Sequence, residues 1–157
     1  MRTRQAGFTL LEILLVVAII GIITALATPM FLSYYQGAQL RVAAEQVVAF
    51  LNQGRQMAIT QNGPMCVHIA STAMHYHLGT CAGAIWVGPG TNSAGDIALP
   101  VGITVATAPD VIFNYLGGST AGTTYAITHT PSSKSVKVVV ALSGRVCITP
   151  TAITTCS

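Results

Sequence analysis

The chain has 157 residues, of which 52% are hydrophobic and only 7% charged, with a formal net charge of +3. Without Arg2 and Arg4, five basic residues face four acidic ones, a net of +1, which excludes a strongly basic nucleic-acid surface. After an N-terminal helical region of about 60 residues the length leaves room for one small domain of roughly 95 residues, and nothing points to a second.

Residues 1–7, Met1 to Gly7, carry Arg2 and Arg4, and an apolar run then extends from Phe8 to Thr28 with a single charge, Glu12. At ~1.5 Å rise per residue this run makes a helix of about 30 Å, enough to cross a hydrocarbon core. The two arginines precede it and the next basic residue is Arg41, so the positive-inside bias puts the N-terminus in the cytoplasm and the remainder in the periplasm. A carboxylate in such a helix costs about 2.5–3.5 kcal/mol on insertion scales, less near the interface, so Glu12 needs a partner. A secretory signal has a shorter apolar core with its small-residue cleavage site beyond it; here the only motif-like junction, Gly7-Phe8, lies before the run.

Pro29 lacks an N–H and crowds the preceding turn, so it should kink the helix or end its first segment. Over residues 29–62, Leu40, Ala44, Val47, Leu51, Gly54 and Ala58 recur at alternating spacings of 4 and 3, a narrow apolar seam that should pack on a sheet. Asn62-Gly63-Pro64 then predicts a glycine C-cap followed by a proline that cannot continue the helix. Met65 to Gly79 reads as a hairpin around Ser71-Thr72, with Met65, Val67, Ile69, Met74, Tyr76 and Leu78 facing the helix. Gly83 to Gly95 reads as a loop, Ile97 to Thr107 and Val111 to Leu116 as short strands. Thr123 to His129, Ser135 to Leu142 and, after a tight turn at Ser143-Gly144, Arg145 to Thr149 predict an antiparallel meander. The fold class is therefore α+β: a long N-terminal helix, transmembrane in its first half, packed on an antiparallel β domain over residues 63–157.

Cys66, Cys81, Cys147 and Cys156 form an even set in an oxidising compartment and can pair in three ways. A last hairpin turning around Thr151-Ala152 would set Cys147 opposite Cys156, within disulfide reach. Cys66 and Cys81 are the remaining pair. Plain extension of the first hairpin leaves Cys81 about four residues from a position opposite Cys66, so the chain would have to fold back. In the register that pairs Ile69 with Met74, Cys66 opposes His77 and His68 opposes His75, four soft-metal ligands on one face. A disulfide at Cys66 and the solvent side of an edge hairpin weigh against a metal, and no metal or other cofactor is expected. Asp96 and Asp110 lie in loop-like sequence, and no Ser–His–Asp or phosphate-loop spacing is present, so no catalytic set emerges and an enzyme is not expected.

Gly7-Phe8-Thr9-Leu10-Leu11-Glu12 behind a short basic leader resembles a type IV prepilin. The resemblance implies a prepilin peptidase that cuts after Gly7 and methylates the new amine of Phe8, with residues 8–28 kept as the transmembrane helix and Glu12 acting in assembly. Pro29 sits where such proteins often carry a proline. Arg41-Val42-Ala43-Ala44-Glu45 through Gly54-Arg55-Gln56-Met57-Ala58-Ile59-Thr60-Gln61-Asn62-Gly63, and Val138-Val139-Val140-Ala141-Leu142-Ser143-Gly144-Arg145-Val146, are similar to segments of the GspH/FimT group of pseudopilins and minor pilins. That group implies a single-pass inner-membrane subunit incorporated into a type IV pilus or a type II secretion pseudopilus, with membrane lipid, other major and minor pilins or pseudopilins, and prepilin peptidase as partners. An alternative reading is a filament-tip receptor for DNA, with Lys134, Lys137 and Arg145 near the final sheet as phosphate contacts. DNA-binding relatives tend to carry a second arginine two places after the first; here that place is Cys147, and DNA is not expected as a partner.

Overall fold

A computed structural model describes residues 9–149 and Cys156. It contains one long helix, α1 (Leu10–Thr60), and eight strands: β1 (Met65–Ile69), β2 (Ala73–Leu78), β3 (Ile97–Ala98), β4 (Ile103–Val105), β5 (Val111–Phe113), β6 (Thr123–His129), β7 (Lys134–Val140) and β8 (Val146–Thr149). The chain divides into two compact units, the first ending at Gln36 and the second beginning at Gly37, so the last part of α1 belongs with the β domain. The helix runs through Pro29 without a break.

In the second unit all six residues of the sequence-derived seam are buried, joined by Ala43 and Phe50. The seam is narrow because the helix comes very close to the sheet. A Cβ built on Gly54 would lie 2.5 Å from Val67 Cγ2 and 3.1 Å from Tyr76 Cε1. Beside this contact the Phe50 and Tyr76 rings stack, centroids 4.1 Å apart, and the Tyr76 hydroxyl donates to the Phe50 carbonyl at 2.8 Å. That bond satisfies the one polar atom of a fully buried ring, and burial raises its pKa.

The helix stops differently from the glycine cap that the sequence suggests. Asn62 takes the left-handed conformation (φ 49°), Gly63 N–H reaches back to the Ala58 carbonyl and Asn62 N–H to that of Ile59. This is a Schellman arrangement in which asparagine, the non-glycine residue that tolerates φ > 0 best, occupies the position expected of glycine.

The strands form two four-stranded sheets, ordered β3-β2-β1-β5 and β4-β6-β7-β8. The first hairpin has the expected register, Ile69 opposite Met74, His68 opposite His75 and Cys66 opposite His77. It is not an edge, however: β5 pairs with β1 and β3 with β2, so both hairpin strands lie inside the sheet. The single strand expected over Ile97 to Thr107 is in fact two, one in each sheet. Pro100 has no N–H for a ladder and Gly102 adopts φ +81°, and the Ile103 N–H bonds to the Pro100 carbonyl, so the chain turns out of one sheet and into the other. The hairpin turn holds both ends of this crossover, the Ser71 carbonyl accepting from Val105 N–H and that of Thr72 from Leu99 N–H. The chain then returns to the first sheet as β5, which stops at Phe113 rather than Leu116 because Asn114 to Gly117 form a turn.

The second sheet contains the predicted meander, β6 to β7 to β8, with β4 added at the free side of β6. Thr123, Tyr125, Ile127 and His129 are buried in strict alternation, as a strand with one covered face requires. Both sheets and the second half of α1 contribute to one core, in which Tyr76, Tyr125, Phe113 and Leu51 are the largest enclosed side chains.

Candidate functional site

The first helical turn is capped by its own sequence. Thr9 precedes α1 and its Oγ1 accepts the Glu12 N–H at 3.2 Å, the Thr-x-x-Glu spacing of a capping box. The capped donor is the backbone N–H of Glu12, the third residue of the helix, where a negative side chain also complements the helix dipole. Gly7 and Phe8 lie outside the described residues.

From Thr9 to Tyr35 every residue is exposed. Leu10, Leu11, Leu26 and Phe31 are each more than 70% accessible, and the helix is long and apolar enough to cross a membrane. Three hydroxyls in this segment turn back onto the helix: Thr24 Oγ1 donates to the Ile20 carbonyl at 2.8 Å, Thr28 Oγ1 to that of Thr24 at 2.6 Å, and Ser33 Oγ to that of Met30 at 2.9 Å. An apolar rod whose Thr24, Thr28 and Ser33 hydroxyls bond to its own carbonyls suits hydrocarbon or a layer of similar helices, and it does not suit water.

Both cysteine pairs are joined. Cys66 and Cys81 are bonded with Cα atoms 5.2 Å apart, because the chain reverses after Leu78: Gly79 takes φ +80°, Gly83 N–H closes a turn on the Thr80 carbonyl, and Ile85 bridges to His77. Cys147 and Cys156 are bonded with Cα atoms 6.0 Å apart. The turn expected at Thr151-Ala152 lies outside the described residues.

The three basic residues set aside as phosphate contacts do not converge. Lys134 begins β7, Lys137 is opposite Thr149, and Arg145 follows the turn after β7, pairing with Ala141. At ~3.3 Å per residue, Arg145 and Lys134 are about 20 Å apart along the sheet. A residue that sequence reasoning did not single out, Arg55, lies instead against the loops at the Arg145 end. Its Nε is buried, 2.9 Å from where a Cβ on Gly117 would stand and 3.3 Å from one on Gly144. Both glycines have positive φ, and a Cβ on Gly144 would also run into the Gly117 carbonyl oxygen, so the Ser143-Gly144-Arg145 turn admits no side chain at its centre.

On the first sheet three histidines form a row. His68 Nδ1 is 2.7 Å from Asp110 Oδ1, His75 Nδ1 is 3.3 Å from Asp96 Oδ1, and His77 Nδ1 is 2.8 Å from the Gly83 carbonyl oxygen. The rings of His68 and His75 stack at 4.7 Å between centroids, and those of His75 and His77 meet at 5.0 Å. Burial lowers the pKa of His75, the charges His68 and His77 would carry lower it further, and Asp96 opposes them without reversing the direction. The disulfide withdraws Cys66 from the ligand set that the hairpin register suggested.

Comparison with known proteins matches both parts of the chain. The family model described as "Prokaryotic N-terminal methylation motif" covers residues 2–28, and the one described as "Type II transport protein GspH" covers residues 43–144. A type IV major pilin protein, PilE1, of Neisseria gonorrhoeae is 39% identical over 61 residues, covering 39% of this chain and 34% of that protein. A fimbrial protein of Pseudomonas aeruginosa is 33% identical over 86 residues, 55% of each chain. The chain thus spans about a third to a half of the length of these curated relatives. Among solved structures, the type IV minor pilin FimU of Pseudomonas aeruginosa superposes with a TM-score of 0.58 at 16% identity, over 76% of this chain and 95% of that one. The minor pseudopilin EpsH of Vibrio cholerae gives a TM-score of 0.55 at 13% identity, over 71% and 97%. At these identities the two structures speak to the fold, a helix on antiparallel sheets.

Proposed function

The chain belongs to the GspH family of type II transport proteins, and on that premise we propose that it is a minor pilin or pseudopilin, a membrane-anchored subunit of a type IV pilus or a type II secretion pseudopilus. One observation carries the reading: the helix that supplies the core seam of the β domain extends N-terminally as an apolar rod with no buried residue. Lipid covers that rod before assembly and the corresponding rods of neighbouring subunits cover it afterwards, an exchange of one apolar surrounding for another that helix–helix packing can drive.

In this reading residues 1–7 are a leader removed by prepilin peptidase on the cytoplasmic side, Phe8 becomes the methylated N-terminus, and the β domain lies in the periplasm, where its two disulfides persist. Glu12 follows Phe8 by four positions in the sequence. In this reading its carboxylate receives the terminal amine of an adjacent subunit, a pairing that sets registry more than it adds stability. Major and minor pilins or pseudopilins are the partners, and the β domain selects among them. The spread of Lys134, Lys137 and Arg145 gives no support to a DNA receptor.

Co-expression with a prepilin peptidase tests the reading. Intact mass should fall by the first seven residues and rise by one methyl group on Phe8. A mature chain that still begins at Met1, or one that starts beyond Thr28, would refute it. Deleting the gene and scoring secretion, surface pili with twitching, and transformation in parallel then identifies the machine by the phenotype lost.

A further inference from the structure

We infer that His68, His75 and His77 form a binding site for a divalent transition-metal ion of the kind that prefers imidazole, such as zinc. The inference rests on how the rings are placed. His68 Nδ1 is hydrogen-bonded to Asp110 and His77 Nδ1 to the Gly83 carbonyl, while His75 Nδ1 is buried without a hydrogen-bond partner, 3.3 Å from Asp96 Oδ1. A ring that donates its Nδ1–H in this way presents the lone pair of Nε2, and carboxylate or carbonyl partners behind the imidazole are the usual outer shell of a histidine metal site.

The spacing fits. An ion about 2.0–2.1 Å from three imidazole nitrogens in a tetrahedral arrangement keeps the ring centres on the order of 5 Å apart. The observed separations are 4.7, 5.0 and 6.4 Å. His68 and His75 are stacked with 29° between their planes, and the ligand atoms of the three residues do not all fall within 4.8 Å of one another. Binding therefore requires the stacked rings to turn apart about their side-chain torsions, while the strand register keeps their backbones in place. The partial exposure of the rings leaves an approach for the ion, and a water molecule completes the coordination.

Two features separate this row from a chance surface cluster. First, the hairpin is not a free edge: β3 and β5 flank it, and the acids beside His68 and His75 arrive from the segments just before those two strands. An ion would therefore connect every strand of the sheet, directly or through one carboxylate. Second, the nearby group of Cys66, Cys81 and Asp110 is no competitor, because both sulfurs are committed to the disulfide and a thiolate is needed to ligate.

The test uses the full mature chain in detergent, stripped with a chelator and titrated with zinc chloride against a chromophoric competitor, with equilibrium dialysis for stoichiometry. One zinc per chain is expected, with a rise in thermal midpoint that saturates at the same stoichiometry. His75→Gln should weaken binding by more than 100-fold, and Asp110→Asn by about 10–100-fold because it removes only a positioning partner. Should His75→Gln fail to fold, as judged by circular dichroism, His77→Gln serves in its place. Less than half an equivalent of bound zinc in the wild type, or unchanged affinity in the folded histidine variant, overturns the assignment.

Discussion

The two parts of α1 share one backbone but have different surroundings. Between Gly37 and Thr60 the helix buries a seam of Ala, Val, Leu and Gly, and at Gly54 the sheet comes within contact distance of where a side chain would begin. Between Leu10 and Tyr35 the residues are more apolar, yet every one is exposed among the described residues, and no atom beyond its own helical turn lies within 4 Å of the missing Cβ of Gly21. Hydrophobicity alone does not make a core. The amphipathic part is buried by its own chain, and the uniformly apolar part has a surface that only lipid or another chain can cover.

The contrast can be broken at several points. The largest effect should come from the Cys66–Cys81 disulfide, which closes a separation of 15 residues and whose loss should cost the β domain about 3 kcal/mol. Measured in detergent with Cys66→Ala/Cys81→Ala, the near-ultraviolet transition should move to lower denaturant while much of the far-ultraviolet helix signal survives the transition. Loss of both signals together would mean that the two parts of the helix are not independent.

A paired glycine comparison is sharper. Gly54→Ala places a methyl 2.5 Å from Val67 Cγ2 and should destabilise the domain by about 1–3 kcal/mol. Gly21→Ala meets nothing, so domain stability should be unchanged and the helix itself favoured by up to about 1 kcal/mol. Denaturant titration of both variants decides this, and equal effects would contradict the division. At the helix end, Asn62→Ala should cost about 1 kcal/mol because alanine tolerates φ 49° poorly, whereas Asn62→Gly should be neutral or slightly stabilising. Equal midpoints for the two variants would remove backbone conformation as the reason for asparagine there.

The parts of this architecture written in local order were readable from sequence. The 4-3 spacing of Leu40 through Ala58 fixed the buried face, and alternation around Ser71-Thr72 fixed the hairpin register. The parts that depend on distant residues were not. Alternation from Ile97 to Val105 looks continuous, and the passage between sheets follows from where the Ser71 and Thr72 carbonyls happen to lie. Asp110 reaches His68 across 42 positions, and no pattern within either segment announces the pair. The Thr9 cap is written locally too, as a threonine immediately before the apolar run, and it explains the helix start without explaining the acid.

That cap supplies the variant for the central claim, that the uncovered part of the helix is completed by neighbouring subunits with Glu12 setting its registry. Glutamine also serves at the third position of a capping box, so Glu12→Gln removes the charge while keeping the helix start intact. Sheared filaments are separated from membranes and the variant's share in each fraction is compared with wild type. The account predicts normal membrane insertion, normal processing after Gly7 and a much reduced filament share. An undiminished filament share with normal processing would contradict it.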